Sequence, residues 1–141
     1  EPHLGVVRLE DGRSFVMADI PGLIEGAHQG HGLGVQFLRH VERTRLLAHL
    51  VDVSEMSGRD PVRDFEIILA ELAGFSQELA KKPMFVVATK MDVAQAPERV
   101  EALKAAARKK RLRFFPISAV TGEGVEKLIR AMADKIAAGF D

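Results

Sequence analysis

The chain has no cysteine, no net charge and no long apolar run, and each absence removes a class of protein. With Cys 0, disulfide frameworks and thiolate metal sites are excluded, which fits a cytosolic setting. Lys+Arg 20 balances Asp+Glu 20 at a formal net charge of +0. No general affinity for nucleic acid or acidic membrane is therefore indicated. No apolar run approaches the roughly 20 residues that span a bilayer. Glu1-Pro2-His3 lacks the basic and apolar character of a signal sequence and reads as a point inside a longer chain. Internal repeats and low-complexity stretches are also missing. What is present is ordinary for a globular protein: 141 residues, 47% hydrophobic and 28% charged. Residues 1–141 thus read as one domain.

Strand and helix patterns alternate along the chain. Leu4 to Leu9 and Ser14 to Ala18 are β-rich and flank a tight-turn signal at Glu10-Asp11-Gly12-Arg13, which predicts a hairpin. Gly22, Gly26, Gly30, Gly32 and Gly34 make residues 23–34 the expected most mobile internal segment. A short amphipathic helix with Phe37, Leu38 and Val41 inward follows, then a buried strand, Leu46 to Asp52. Asp60-Pro61 reads as an N-cap with proline at the first helical position. Phe65, Ile68, Leu69, Leu72, Phe75 and Leu79 form one apolar helix face at spacings of three and four. Met84 to Ala88 is a strand, and Val100, Leu103 and Ala107 mark a helix with a basic outer face. Arg113 to Ile117 is the last strand. Val125, Leu128, Ile129, Met132 and Ile136 form the last helical stripe, which Thr121 is placed to cap. The later strands lie roughly 30 to 38 residues apart with one helix between each pair, the spacing of βαβ units. Ligands bind such sheets at the carboxyl ends of the strands, where Asp19, Asp52, Thr89 and Ser118 all fall.

Those ends carry the chemistry. In Thr89-Lys90-Met91-Asp92 the Asp92 carboxylate offers two acceptor oxygens, matched to the two adjacent donors on the Watson–Crick edge of guanine. Lys90 can lay its alkyl stem along a flat base, and Thr89 can bond neighbouring loops. The plainer alternative is that Asp92 caps the following helix. Backbone N–H groups of Ser118-Ala119, with Val120 beside them, can meet the guanine carbonyl; alternatively Ser118 is a simple cap. In Asp19-Ile20-Pro21-Gly22 the acid can hold Mg²⁺ through water, and the bare Gly22 backbone can approach a phosphate. An ordinary strand-to-turn Asp-x-Pro-Gly is the alternative there. Glu25, His28 and His31 stand in the glycine loop, where glycines argue against the helix a metal site would need. His40 and His49 read as ordinary polar or core histidines. Arg108-Lys109-Lys110-Arg111, followed by Arg113, is a basic patch: a solvated helix end favoured by the dipole, or a nucleic-acid contact.

Together these loops resemble a GTP-binding protein, and the likeness extends through Leu4-Gly5-Val6-Val7, Asp19 to Ala27, Gly32-Leu33-Gly34, Phe37-Leu38-Arg39-His40, Glu42-Arg43-Thr44, Asp60-Pro61-Val62 and Phe115 to Val120. Over nearly the whole chain this closely resembles the Obg family of GTPases. The resemblance implies a P-loop GTPase-like α/β fold, with a mostly parallel sheet and helices on both faces. It implies a cytoplasmic protein that hydrolyses GTP to GDP and is associated with assembly of the large ribosomal subunit. Asp19 would serve magnesium and Gly22 the γ-phosphate. Thr89, Lys90 and Asp92, completed by Ser118 and Ala119, would bind guanine, and residues 23–34 would be the phosphate-sensing switch. Leu23 stands where many small GTPases carry a water-orienting Gln, so hydrolysis should be intrinsically slow.

The sequence departs from the family pattern in several places. His3 replaces a usual Asn, and Thr89 replaces Asn in the base loop. The family's phosphate loop, the strand before it and the helix after it should precede Glu1. A chain of these residues alone is therefore expected to lack GTPase activity, with no catalytic residue assigned. The missing strand would lie between Ser14–Ala18 and Leu46–Asp52. Those two are expected to close on each other, to accept a strand from another chain, or to be separated by residues outside this sequence. A non-catalytic GTPase-like interaction module is the rival reading, and a receiver-like domain with Asp52 as phosphoacceptor is a second.

Overall fold

The computed structural model describes residues 4–8, 14–18, 35–93 and 96–138. The glycine loop, Asp19 to Gly22, the turn at Glu10–Arg13 and the histidines at 28 and 31 lie outside the described residues. So does the expectation that residues 23–34 are the most mobile segment. Five strands are described: β1 Leu4–Arg8, β2 Ser14–Ala18, β3 Leu47–Asp52, β4 Met84–Thr89 and β5 Arg113–Pro116. The helices are α1 Val35–Arg43, α2 Pro61–Phe75, α3 Gln77–Ala80, α4 Pro97–Lys109 and α5 Val125–Ala138.

The strands lie in the order β1-β2-β3-β4-β5. β1/β2 and β2/β3 pair antiparallel, β3/β4 and β4/β5 parallel. Only β2 runs against the rest, which corrects the expected gathering of all the carboxyl ends: Met17, near the end of β2, lies opposite Leu47 at the start of β3, on the edge of the sheet away from Asp52 and Thr89. β2 sits directly on β3, with Ser14 opposite Leu50 and Met17 opposite Leu47. Of the three expected arrangements, the first is therefore observed. An open slot would leave rows of backbone N–H and C=O groups unpaired, each costing roughly 1–3 kcal/mol when buried, so closure is the favoured resolution.

Strand alternation divides the core into two layers. Leu47, Val51, Met84, Val86 and Ala88 face Leu38, Val41, Phe65, Ile68, Leu72, Val100 and Leu103, from α1, α2 and α4. Ala48, Phe85, Val87 and Phe115 face the other way, against Leu128, Ala131, Met132 and Ile136 of α5. Helices thus cover both faces. His49, only 1% exposed, stacks on Phe15 with ring centroids 4.9 Å apart and is a core residue.

Three local expectations are corrected. The apolar face from Phe65 to Leu79 is not one helix. Ser76 is extended at φ −163, and its hydroxyl accepts from Leu79 N–H, ending α2 and capping α3. Serine competes with the helical ladder in this way, and Phe75 is left 40% exposed. Thr121 does not cap α5; its hydroxyl accepts from Glu123 N–H at 3.2 Å, four residues before the described start of the helix at Val125. Ile129 lies outside the buried stripe, 50% exposed. Asp60 does cap α2, accepting from Val62 and Arg63 N–H.

The turn into α5 depends on Gly124. It has φ +81, and a Cβ there would collide with the Pro116 carbonyl oxygen. Gly58 has φ +68 but open space around it. Gly58→Ala should therefore cost about 1–2 kcal/mol from left-handed strain alone. Gly124→Ala should cost about 2–5 kcal/mol, since overpacking adds about 1–3. Urea unfolding of both variants checks the difference.

Candidate functional site

The parallel register of β3, β4 and β5 places their carboxyl ends side by side. Asp52 pairs with Thr89, and Ala88 with Pro116. Beyond the strands the ladder continues: Val53 N–H donates to Thr89 O at 3.3 Å, Ile117 N–H to Ala88 O at 2.8 Å, and Met91 N–H to Ile117 O at 3.2 Å. The Thr89 hydroxyl donates to Val51 O at 3.3 Å, so Thr89 ties two strands as its position suggested. Lys90 has φ 64, a left-handed residue that turns the chain sharply into the 3₁₀ turn Met91–Val93.

Asp92 lies in that turn and is exposed. It is not the cap of α4, which begins at Pro97 behind Ala96. Its carboxylate instead takes a hydrogen bond from the Ser118 hydroxyl at 2.8 Å. A carboxylate has about four lone-pair sites, so this bond orients the group and leaves Oδ2 open to solvent. Ser118 is itself fixed: it is 2% exposed, its oxygen accepts from Thr121 N–H at 3.1 Å, and its carbonyl accepts from Gly122 N–H at 2.8 Å.

One sequence assignment changes here. The Ser118 N–H does not point to a ligand, because it donates to Glu123 O at 2.9 Å. The role of Ser118 is carried by its hydroxyl. The amides of Ala119 and Val120 donate to no atom among the described residues, and both residues are exposed, Val120 to 85%. The loop thus presents two adjacent N–H groups, one position later than the sequence suggested.

Asp52 stands at the strand ends beside Thr89, as its position in the sequence suggested. Its Oδ1 accepts from the Ser54 hydroxyl at 2.6 Å and the Ser54 N–H at 2.9 Å. Its Oδ2 lies 3.1 Å from Lys90 Nζ. Burial works to raise this carboxyl, but the Ser54 bonds and the Lys90 ammonium outweigh it and hold the group below its ordinary value of 3.8. Arg99 pins the same loop from α4, donating to Val53 O and Ser54 O at 3.2 Å each, and to Arg59 O. The sequence placed Asp52 at a carboxyl strand end, and the receiver-like reading made it a phosphoacceptor. The structure ties that acid to Ser54 and Lys90. Among the described residues no group of acids and histidines is arranged to hold a metal ion, and Asp19 lies outside them.

Comparison with known proteins gives the family. The profile of a family described as "50S ribosome-binding GTPase" matches residues 1–90. A GTPase Obg from Solibacter usitatus is 70% identical over 138 residues, covering 98% of this chain and 41% of the relative. A GTPase Obg from Shouchella clausii is 53% identical over 135 residues, covering 96% of this chain and 31% of the relative. The chain therefore spans between about a third and two-fifths of the length of these relatives. A crystal structure of Era with MgGDPNP and nucleotides 1506–1542 of 16S ribosomal RNA superposes with TM-score 0.50 at 22% identity. It covers 93% of this chain and 43% of that one. At that identity the likeness shows a shared fold.

The Asp52 cluster has a pH signature. A folded-state carboxyl held low contributes stability above its unfolded value and loses it as pH falls through the lower folded value. Asp52→Asn should be less stable than the parent at neutral pH, by roughly 1 kcal/mol from weakened hydrogen bonds. The gap should close as pH drops below 3.8. Urea midpoints followed across that range check it; a gap that stays constant with pH would contradict the arrangement.

Proposed function

Because the chain belongs to the 50S ribosome-binding GTPase family, and within it to the Obg type, we propose that residues 89–92 and 118–120 form its guanine pocket. The Ser118–Asp92 hydrogen bond carries this reading. It aims a carboxylate whose second oxygen is open, beside two open amides at Ala119 and Val120. Guanine presents two donors, N1–H and the exocyclic amine, next to one acceptor, O6. The carboxylate matches the donors and the amides match the acceptor. Adenine presents the opposite pattern at those positions and leaves the carboxylate facing an acceptor. Lys90, its ammonium held toward Asp52 at 3.1 Å, supplies an alkyl stem against the base plane.

In the full-length protein this pocket would hold GTP while it is hydrolysed to GDP and phosphate. Asp19 would hold the magnesium ion and Gly22 would approach the γ-phosphate, with Ile20 and Pro21 shaping that turn. Leu23 cannot orient a water, so turnover would be slow without a further group. The protein would work in the cytoplasm on the large ribosomal subunit. The domain assignment at residues 1–141 fits a guanine-nucleotide-binding unit of that larger protein. A GTPase-like shell that serves only as an interaction module would show no preference among bases.

Competition of GDP and ADP for a fluorescent guanine nucleotide distinguishes the two. The chain should prefer GDP. Asp92→Asn should lower GDP affinity about ten- to a hundredfold, the equivalent of a charge-assisted hydrogen bond of about 1.5–3 kcal/mol. Ser118→Ala should produce a smaller loss in the same direction. Equal affinity for GDP and ADP would overturn the assignment.

A further inference from the structure

Residues 104–113 contain Lys104, Arg108, Lys109, Lys110, Arg111 and Arg113, and no acid occurs anywhere from 102 to 122. A chain with zero net charge has here segregated its charge. The helix dipole accounts for cations in the last turn of α4, Arg108 and Lys109. It does not account for Lys104, a turn earlier, or for Arg111 and Arg113, beyond the helix.

The fold gathers Lys104, Arg108 and Arg111 around one hollow. Lys104 and Arg108 are four residues apart on α4, and so share a face. The chain then reverses: Arg111 N–H donates to Arg108 O and Leu112 N–H to Ala107 O, both at 2.9 Å. This is a Schellman end. A concavity of about 370 Å³ opens there, lined by Lys104, Arg108, Arg111, Leu112, Arg113 and Phe114. No acid lines it, and among the described residues none of its four cations is in an ion pair. Arg113 borders the hollow, but its guanidinium lies 4.9 Å from the Phe115 ring centroid and 5.5 Å from that of Phe85, on the α5 side of the sheet, so the hollow draws its charge from Lys104, Arg108 and Arg111.

The same turn sets the conformation of Arg111. It occupies the left-handed position of the reversal, φ 61, where helices usually place glycine. A non-glycine residue there costs about 1–2 kcal/mol, a cost that glycine would avoid.

We propose that this hollow binds the phosphate backbone of RNA. The Arg108 and Arg111 forks match phosphate oxygens in pairs, and Lys104 adds a point charge. Half-buried Leu112 and Phe114 give the same hollow an apolar floor, on which a ribose or an unstacked base can rest. A lipid surface fits less well. Insertion requires large exposed apolar side chains, and none of those among the described residues falls within 104–114. The hollow lies at the start of β5, and Ser118 lies past its end, so RNA and nucleotide can be held together. The proposal is independent of the guanine pocket.

The test is fluorescence anisotropy of the whole chain with a fluorescein-labelled RNA stem-loop across a salt series. Polyglutamate and phosphatidylserine vesicles serve as competitors. Arg108→Glu combined with Arg111→Glu should lower RNA affinity at least about tenfold. It should also flatten the dependence of log affinity on log salt by about 0.7–0.9 for each phosphate no longer neutralised. Arg63→Glu combined with Lys81→Glu, exposed on other elements, makes the same change in net charge and should have little effect. Arg111→Gly keeps misfolding from mimicking the result: it should raise the melting temperature by relieving the backbone and still bind RNA several-fold more weakly. Equal losses from both charge reversals would overturn the proposal. So would parent-like binding by Arg111→Gly, or competition by polyglutamate or vesicles as effective as by unlabelled RNA.

Discussion

One side-chain hydrogen bond fixes the two loops on which the site depends. The Ser118 hydroxyl and the Asp92 carboxylate, 26 residues apart in sequence, meet at 2.8 Å. Asp92 is exposed, and an unrestrained exposed carboxylate samples several rotamers. Its partner is 2% exposed and bonded on every side. An exposed acceptor fixed by a buried donor is preorganised, so less ordering entropy is lost when a ligand arrives.

That bond exists because the sheet allows it. Parallel pairing of β3, β4 and β5 puts the three carboxyl ends together, and the ladder runs on into the loops through Met91 and Ile117. The turn after β5 then needs two left-handed residues, Gly122 and Gly124 at φ 82 and 81. Asp52 and Ser54 play the matching part on the β3 side, receiving Lys90, while Arg99 holds their loop against α4. Stability and site geometry share these residues, so changes at Gly124 or Asp52 should affect both.

Much of the fold was legible in the sequence. Buried strands such as Met84–Thr89 are continuous apolar runs, and α2 announces itself through Asp60-Pro61 and its three-and-four spacing. Less legible were features decided by competition between side chain and backbone. Ser76 fits the apolar period of one long helix, yet its hydroxyl makes it a break. Thr121 reads as a cap because the turn that intervenes depends on glycine conformation. Within the site, residue types at strand ends pointed to Asp92 and to the loop after Ile117. Which Ser118 group faces the ligand was decided by Glu123, whose carbonyl takes the amide. Asp52 was already legible at a strand end, but its partners, Ser54 and Lys90, emerged only with the β3/β4 register. Bulk charge misled in a similar way: a zero sum conceals an acid-free stretch of six cations.

The central claim is that Asp92 and the amides of Ala119 and Val120 read guanine as one unit. Titrating the ¹⁵N-labelled chain with GDP, and separately with ADP, tests this most directly. The account predicts saturable shifts of the Ala119 and Val120 amide signals with GDP, lost in Asp92→Asn, and little change with ADP. Shifts of equal size with the two nucleotides, or none at these amides when GDP is bound, would contradict it.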